Sequence, residues 1–314
     1  MLNYTTMTNI VETSYFGNLK QVEEPKVLII PTPYEYTTSF IKGTKNGPQA
    51  ILNASMHLEQ FDEELWTSIS DIGINTSSFV NCEFVNNKSK EPFIELEQVV
   101  RTSVISGTLP IVIGGEHSIT YGAMKAIYDL YTDVSILYIN SRPNLMESFQ
   151  NNTFNYHCTM RQLYEAMPDL KVTQLGIKSL SSLEANWLEN NDINIEICFA
   201  KDYKQWKIAD ILSNLTKNVY ISFGFNVFDS SIMPSSILPE PGGMTWDTAL
   251  DIIKNVSAFK EIVGMDFVGL SPINSFSAPN LLAAKLIYKS IGYTFARQLG
   301  AFEEDGSALV NTAL

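Results

Sequence analysis

Short, unbroken runs of apolar residues alternate along this chain with longer segments of helical period, and that alternation limits the possible folds sharply. Strands that are apolar on both sides belong in a parallel sheet covered on both faces. Successive parallel strands must then be joined by right-handed crossovers. The runs predict strands at Lys26–Pro31, Leu109–Ile113, Val134–Ile139, Val172–Ile177, Ile193–Phe199, Val219–Phe223 and Ile262–Val268. Weaker strand-like pieces lie at Ile69–Ile74 and Phe79–Val85. Helices are expected from Pro48 to Phe61, and from Glu91 and Pro92 to Val104 with Gly107 as cap. Further helices are expected at Ser118–Asp129, Thr159–Ala166, Ser181–Asn190, Ala209–Leu215, Trp246–Val256 and Pro279–Ile291. The fold class is therefore α/β, a three-layer α-β-α arrangement around a mostly parallel sheet of about eight strands.

Charge narrows the function classes. A net charge of −13 over 314 residues gives no basic footprint for nucleic acid and opposes adsorption on anionic lipid. Small cationic ligands remain compatible. The three cysteines, Cys82, Cys158 and Cys198, are odd in number and far apart. That argues against a disulfide framework or zinc cluster and for a reducing compartment. No apolar run approaches the roughly 18 residues needed to span a bilayer, and Met1–Asn9 has no leader pattern, so a cytoplasmic protein is expected. Residues up to about Glu24 read as an arm packed on the surface or on a neighbouring subunit.

Chemistry points to the loops that follow three of the strands. The run Ser135–Ile139 stops abruptly at Asn140-Ser141-Arg142-Pro143-Asn144, where open α/β sheets place their sites. Beside it stand Gly114-Gly115-Glu116-His117-Ser118 and Ser222-Phe223-Gly224-Phe225-Asn226-Val227-Phe228-Asp229. Together with Pro33–Ser39, Gly43–Pro48, Pro239-Glu240-Pro241-Gly242-Gly243-Met244-Thr245-Trp246, Val263–Asp266 and Leu270-Ser271-Pro272, this ordered set resembles the ureohydrolases. It is nearer the agmatinases than the arginases. The resemblance spans nearly the whole chain. It implies an arginase-like fold as a single domain over 1–314 with an arm at 1–24, and a homo-oligomer, trimer or hexamer.

In active members the resemblance implies two Mn²⁺ ions bridged by hydroxide, which attacks a guanidinium carbon and releases urea. Carried across residue by residue, the first ligand is His117. The family's Asp-Ala-His-x-Asp ligands fall on Asn140, Arg142 and Asn144, and its final Asp-x-Asp falls on Gly224 and Asn226. Only His117 keeps a ligating side chain of the family type. Hard divalent cations want anionic oxygens, yet four carboxylates are here replaced by neutral groups. Arg142 adds a permanent positive charge. At about 4 Å and an effective dielectric of about 20, its repulsion with one Mn²⁺ is roughly 8 kcal/mol. The expectation is that no metal and no other cofactor binds.

On the substrate side, His157 and Glu240 match a family histidine and the guanidinium-binding glutamate, and Asp229 is a further pocket candidate. The plain readings are a capping histidine and a rigid loop between prolines. Without a metal, His117 reads as a buried imidazole held by a hydrogen bond. A buried Arg142 must find an anion, among Glu116, Asp229, Asp266 and Glu240, with amide oxygens from Asn140, Asn144 and Asn226 nearby. Its guanidinium is expected in the space of the metals, and against Glu240 it would imitate the substrate's guanidinium. The expected function is that of a catalytically inactive homologue with a binding, structural or regulatory role. An active ureohydrolase paralogue and a small guanidino or polyamine ligand are the expected partners. The alternative is a metal-dependent ureohydrolase acting on agmatine or another guanidino compound through a non-standard site.

Overall fold

The computed structural model describes residues 14–17, 21–82, 93–191 and 193–301. The strands are β1 Val27–Thr32, β2 Phe61–Asp62, β3 Thr67–Ser68, β4 Ile74–Thr76, β5 Leu109–Gly114, β6 Val134–Ile139, β7 Lys171–Ile177, β8 Ile195–Phe199, β9 Asn218–Gly224 and β10 Glu261–Val268. Between and after them run α1 Gly47–Ser55, α2 Ile94–Ile105, α3 Thr120–Leu130, α4 Thr159–Ala166, α5 Ser182–Asn190, α6 Ile208–Asn214, α7 Trp246–Phe259 and α8 Ala278–Phe295. Eight strands form one sheet in the order β4-β1-β5-β10-β9-β6-β7-β8, and every pairing in it is parallel. β2 and β3 make a separate antiparallel hairpin.

Alternate residues of each central strand face opposite layers, as the period of two requires. Ile111, Ile113, Leu137, Ile139, Ile221 and Phe223 join one apolar cluster, where α1, α7 and α8 pack. Val112, Ile136, Tyr138 and Tyr220 join the other, beneath α2, α3 and α4. Because the strands are parallel, the carboxyl ends of β5, β6, β9 and β10 emerge at the same edge of the sheet. The order matters here. β10 and β9 are inserted between β5 and β6, which brings the loops after all four strands into one crevice.

Several expectations need correction. The first helix stops at Ser55, not Phe61, which is half exposed in the hairpin. Ile69–Ile72 is a 3₁₀ turn and the strand begins only at Ile74, after Gly73 takes a φ of 82°. Phe79–Cys82 has no strand, and Glu83–Val85 lies outside the described residues, as do Glu91 and Pro92 at the expected start of α2. Gly107 does follow the end of α2 with a φ of 77°. No helix among the described residues is long and apolar enough to cross a membrane.

Candidate functional site

A phenol lies at the bottom of the crevice. Tyr138 is fully buried in β6, and its Oη accepts Asn140 Nδ2 at 2.7 Å and Asn144 Nδ2 at 2.6 Å. With two amides donating to it, the hydroxyl's own hydrogen points to His117 Nδ1, 3.4 Å away. His117 then carries its proton on Nε2 and donates to Ser222 Oγ at 2.9 Å, while Ser222 donates to Asp266 Oδ1 at 2.7 Å. Tyr220 donates to the other carboxylate oxygen at 2.9 Å. Burial alone pushes His117 down to about 3, which keeps the imidazole neutral. Burial also pushes Asp266 up to about 7, against the lowering effect of its hydroxyl donors.

The remaining positions close around this hub. Asn140 Oδ1 accepts the Ser141 N–H at 2.8 Å, and Asn226 Nδ2 donates to Ser141 Oγ at 2.7 Å. Gly224 lies against side chains that a Cβ would have to displace. A Cβ there would meet Asn226 Oδ1 at 2.6 Å, Asn140 Oδ1 at 2.8 Å and His117 Cε1 at 2.9 Å. Gly115 is held more tightly, since a Cβ would sit 2.0 Å from the backbone carbonyl of Tyr34.

Charge collects at the rim. Arg142 leaves the hub and pairs with Glu240, Nη2 to Oε1 at 3.0 Å, with both side chains about 30% exposed. Ser179 Oγ lies 3.1 and 3.2 Å from the two Glu240 oxygens. Lys178 Nζ fixes the same loop through the carbonyls of Glu240 at 2.7 Å and Phe228 at 3.0 Å, and burial lowers its pKa to about 8. His157 packs against the rings of Tyr156 and Phe149, with Nε2 3.4 Å from Ser39 Oγ. Burial first and Arg142 second push it down to about 4.

Of the four acids open to Arg142, the fold commits three elsewhere. Glu116 is buried and accepts from the N–H groups of Tyr36 and Thr37 and from the hydroxyls of Thr37, Thr38 and Ser118. Asp266 serves Ser222 and Tyr220. Asp229 accepts the Gly242 and Gly243 N–H groups and so shapes the loop carrying Glu240. The guanidinium thus reaches Glu240 and does not fill the centre of the crevice, which Tyr138 and two amides occupy. Among the described residues, no three His, Cys, Asp or Glu side chains converge as a metal-binding group.

Residues 25–292 match the Arginase family. The chain belongs to that family. The N(1)-aminopropylagmatine ureohydrolase of Synechocystis is 32% identical to this arginase-family chain over 281 residues, covering 85% of it and 88% of the relative. The agmatine ureohydrolase of Thermoplasma volcanium superposes with a TM-score of 0.76 at 26% identity, covering 88% and 92% of the two chains. The formiminoglutamase of Trypanosoma cruzi, solved with Mn²⁺, shares the fold with a TM-score of 0.76 at 20% identity, covering 89% and 96%.

Sequence reasoning missed four residues of this arginase-family crevice: Tyr138, Ser222, Lys178 and Ser179. Two of them carry a readable signal. Tyr138 lies two residues before Asn140, and Ser222 two before Gly224. A period of two therefore aims each at the same face as a site residue already singled out. Lys178 and Ser179 follow β7, which no motif marks.

Proposed function

We propose that this arginase-family protein is a catalytically inactive homologue that works without metal, in a binding, structural or regulatory role. One observation carries the reading. The Tyr138 hydroxyl gathers Asn140 and Asn144, the residues at two ligand positions of the family, into a neutral hydrogen-bonded hub with His117. The donor set does not fit a pair of dications. Its amides are committed to Tyr138 and Ser141, Gly224 offers nothing, and Arg142 brings positive charge. At the rim, the Arg142 guanidinium stands on Glu240 as a substrate guanidinium would, so the cleft is occupied in cis. By the same family likeness we propose a cytoplasmic homo-oligomer.

The test is metal analysis of protein purified with added Mn²⁺, coupled to urea release from agmatine and arginine. We expect far less than one manganese per chain and no urea above background. Stoichiometric manganese or turnover would establish instead a working ureohydrolase with a non-standard site, in which Glu240 and His157 hold the substrate.

A further inference from the structure

At the opposite edge of the sheet, under the amino ends of β1, β5 and β10, lies a cavity of about 410 Å³. Ligand pockets are commonly of this size. Three cations line it: Lys26 before β1, Lys260 before β10, and Arg297 beyond the end of α8. None of the three makes an ion pair among the described residues. The acidic residue on the wall is Glu261, which is exposed. Ser257 also lines the cavity, and among the described residues its buried hydroxyl has no hydrogen-bond partner.

A simpler role accounts for part of this arrangement. Lys260 Nζ donates to the Leu215 carbonyl at 2.7 Å, and Arg297 donates to the Ala258 carbonyl, so each caps the end of a helix. Those bonds use one donor apiece. An ammonium has two more and a guanidinium four more, and among the described residues the Lys26 side chain makes no such bond. In a chain of net charge −13, three cations without ion-pair partners gather around one cavity, and on its wall only the exposed Glu261 opposes their mutual repulsion. Burial lowers the Lys260 pKa, against the raising effect of Asp133.

We propose that this cavity is a second binding site, for a small polyanion of phosphate or polycarboxylate type. Lys26, Lys260 and Arg297 would neutralise its charge. Oxyanions are the ligands that such donors recognise most strongly. The site is separate from the cleft at the carboxyl ends of the strands and does not depend on whether that cleft is catalytic.

Calorimetric titration of the full chain with orthophosphate, tripolyphosphate and citrate tests the assignment. We expect one saturable site for at least one of them, and which anion binds identifies the source. Lys260→Gln and Arg297→Gln should each weaken it about tenfold, the usual loss for one charge-assisted contact. Lys201→Gln, at an exposed lysine paired with Asp202, should leave it unchanged. Lys26→Gln should weaken binding in the same direction, and it decides the matter if either capping variant fails to fold. Absence of saturable binding up to about 10 mM would overturn the proposal. So would an equal loss in Lys201→Gln, because binding would then follow overall charge rather than this cavity.

Discussion

The hub and the rim of the crevice lie on the same loops, yet they treat charge in opposite ways. At the hub, Tyr138, Asn140, Asn144 and His117 satisfy one another as neutral groups, and the carboxylate of Asp266 is reached through Ser222. At the rim, Arg142, Glu240, Lys178 and His157 lie together, two of them joined in an ion pair that water still reaches. Burial decides the difference. A closed site tolerates only groups whose hydrogen bonds are complete, because an orphaned group costs its full desolvation. A half-exposed site can hold unlike charges at little cost and correspondingly little gain.

The largest expected effect at a fixed, neutral pH comes from removing one atom of the hub. Tyr138→Phe keeps the ring but leaves the Asn140 and Asn144 amides facing each other without an acceptor. Two buried donors orphaned at about 1–3 kcal/mol each predict a loss of about 3 kcal/mol in urea denaturation. Arg142→Ala at the rim should cost under about 1 kcal/mol. Equal losses for the two would remove the distinction between hub and rim.

That distinction was only half legible in the sequence. The strand Val134–Ile139 and the helix Thr159–Ala166 have the bounds that their patterns predict. Ile69–Ile72 misled because a short apolar run reads equally as strand or as tight turn. The apolar spacing after Pro48 overruns the helix because no Gly or Pro directly follows Ser55 to mark its end, while Phe61 continues that spacing from a neighbouring hairpin. At the site, the substituted positions were visible from the motifs. Tyr138 was not, because a tyrosine inside an apolar run counts as core until its hydroxyl partners are known. Nor could the sequence choose among four acids for Arg142. The choice rests on backbone N–H groups and hydroxyls that occupy Glu116, Asp229 and Asp266 first.

Acid titration should separate the buried carboxyl from its surroundings. With a folded pKa near 7 against an ordinary 3.8, Asp266 holds a proton between pH 4 and 7 that the unfolded chain has released. It therefore adds stability as the pH falls through that window, at up to about 1.4 kcal/mol per unit, and this contribution is gone above pH 7. His117 and His157 act with the opposite sign. Their pKa values, about 3 and about 4, lie below the ordinary 6.5, so stability is lost as the pH falls and the unfolded chain protonates first. In Asp266→Asn the histidine slope remains and the carboxyl slope disappears. The stability of wild type relative to this variant should thus grow by about 1.4 kcal/mol per unit from pH 7 to pH 4. A flat difference would mean that Asp266 is ionised throughout.

The smallest effect tests the rim most directly. Arg142 and Glu240 share one 3.0 Å contact between partly exposed side chains, and such pairs couple by about 0.2–1 kcal/mol in a double-mutant cycle. A larger coupling would mean that the rim behaves like the hub. Ligand binding gives the sharper contrast. If Arg142 stands in for a guanidinium, Arg142→Ala frees one Glu240 oxygen while Ser179 still holds the carboxylate in place. Agmatine should then raise the melting temperature of Arg142→Ala, since a ligand bound only by the folded state stabilises it. It should do so neither in wild type, where the place is taken, nor in Arg142→Ala/Glu240→Ala, where the anion is gone. An equal shift in wild type and variant would show that agmatine binds without displacing Arg142, and the ion pair would then be no more than a surface contact.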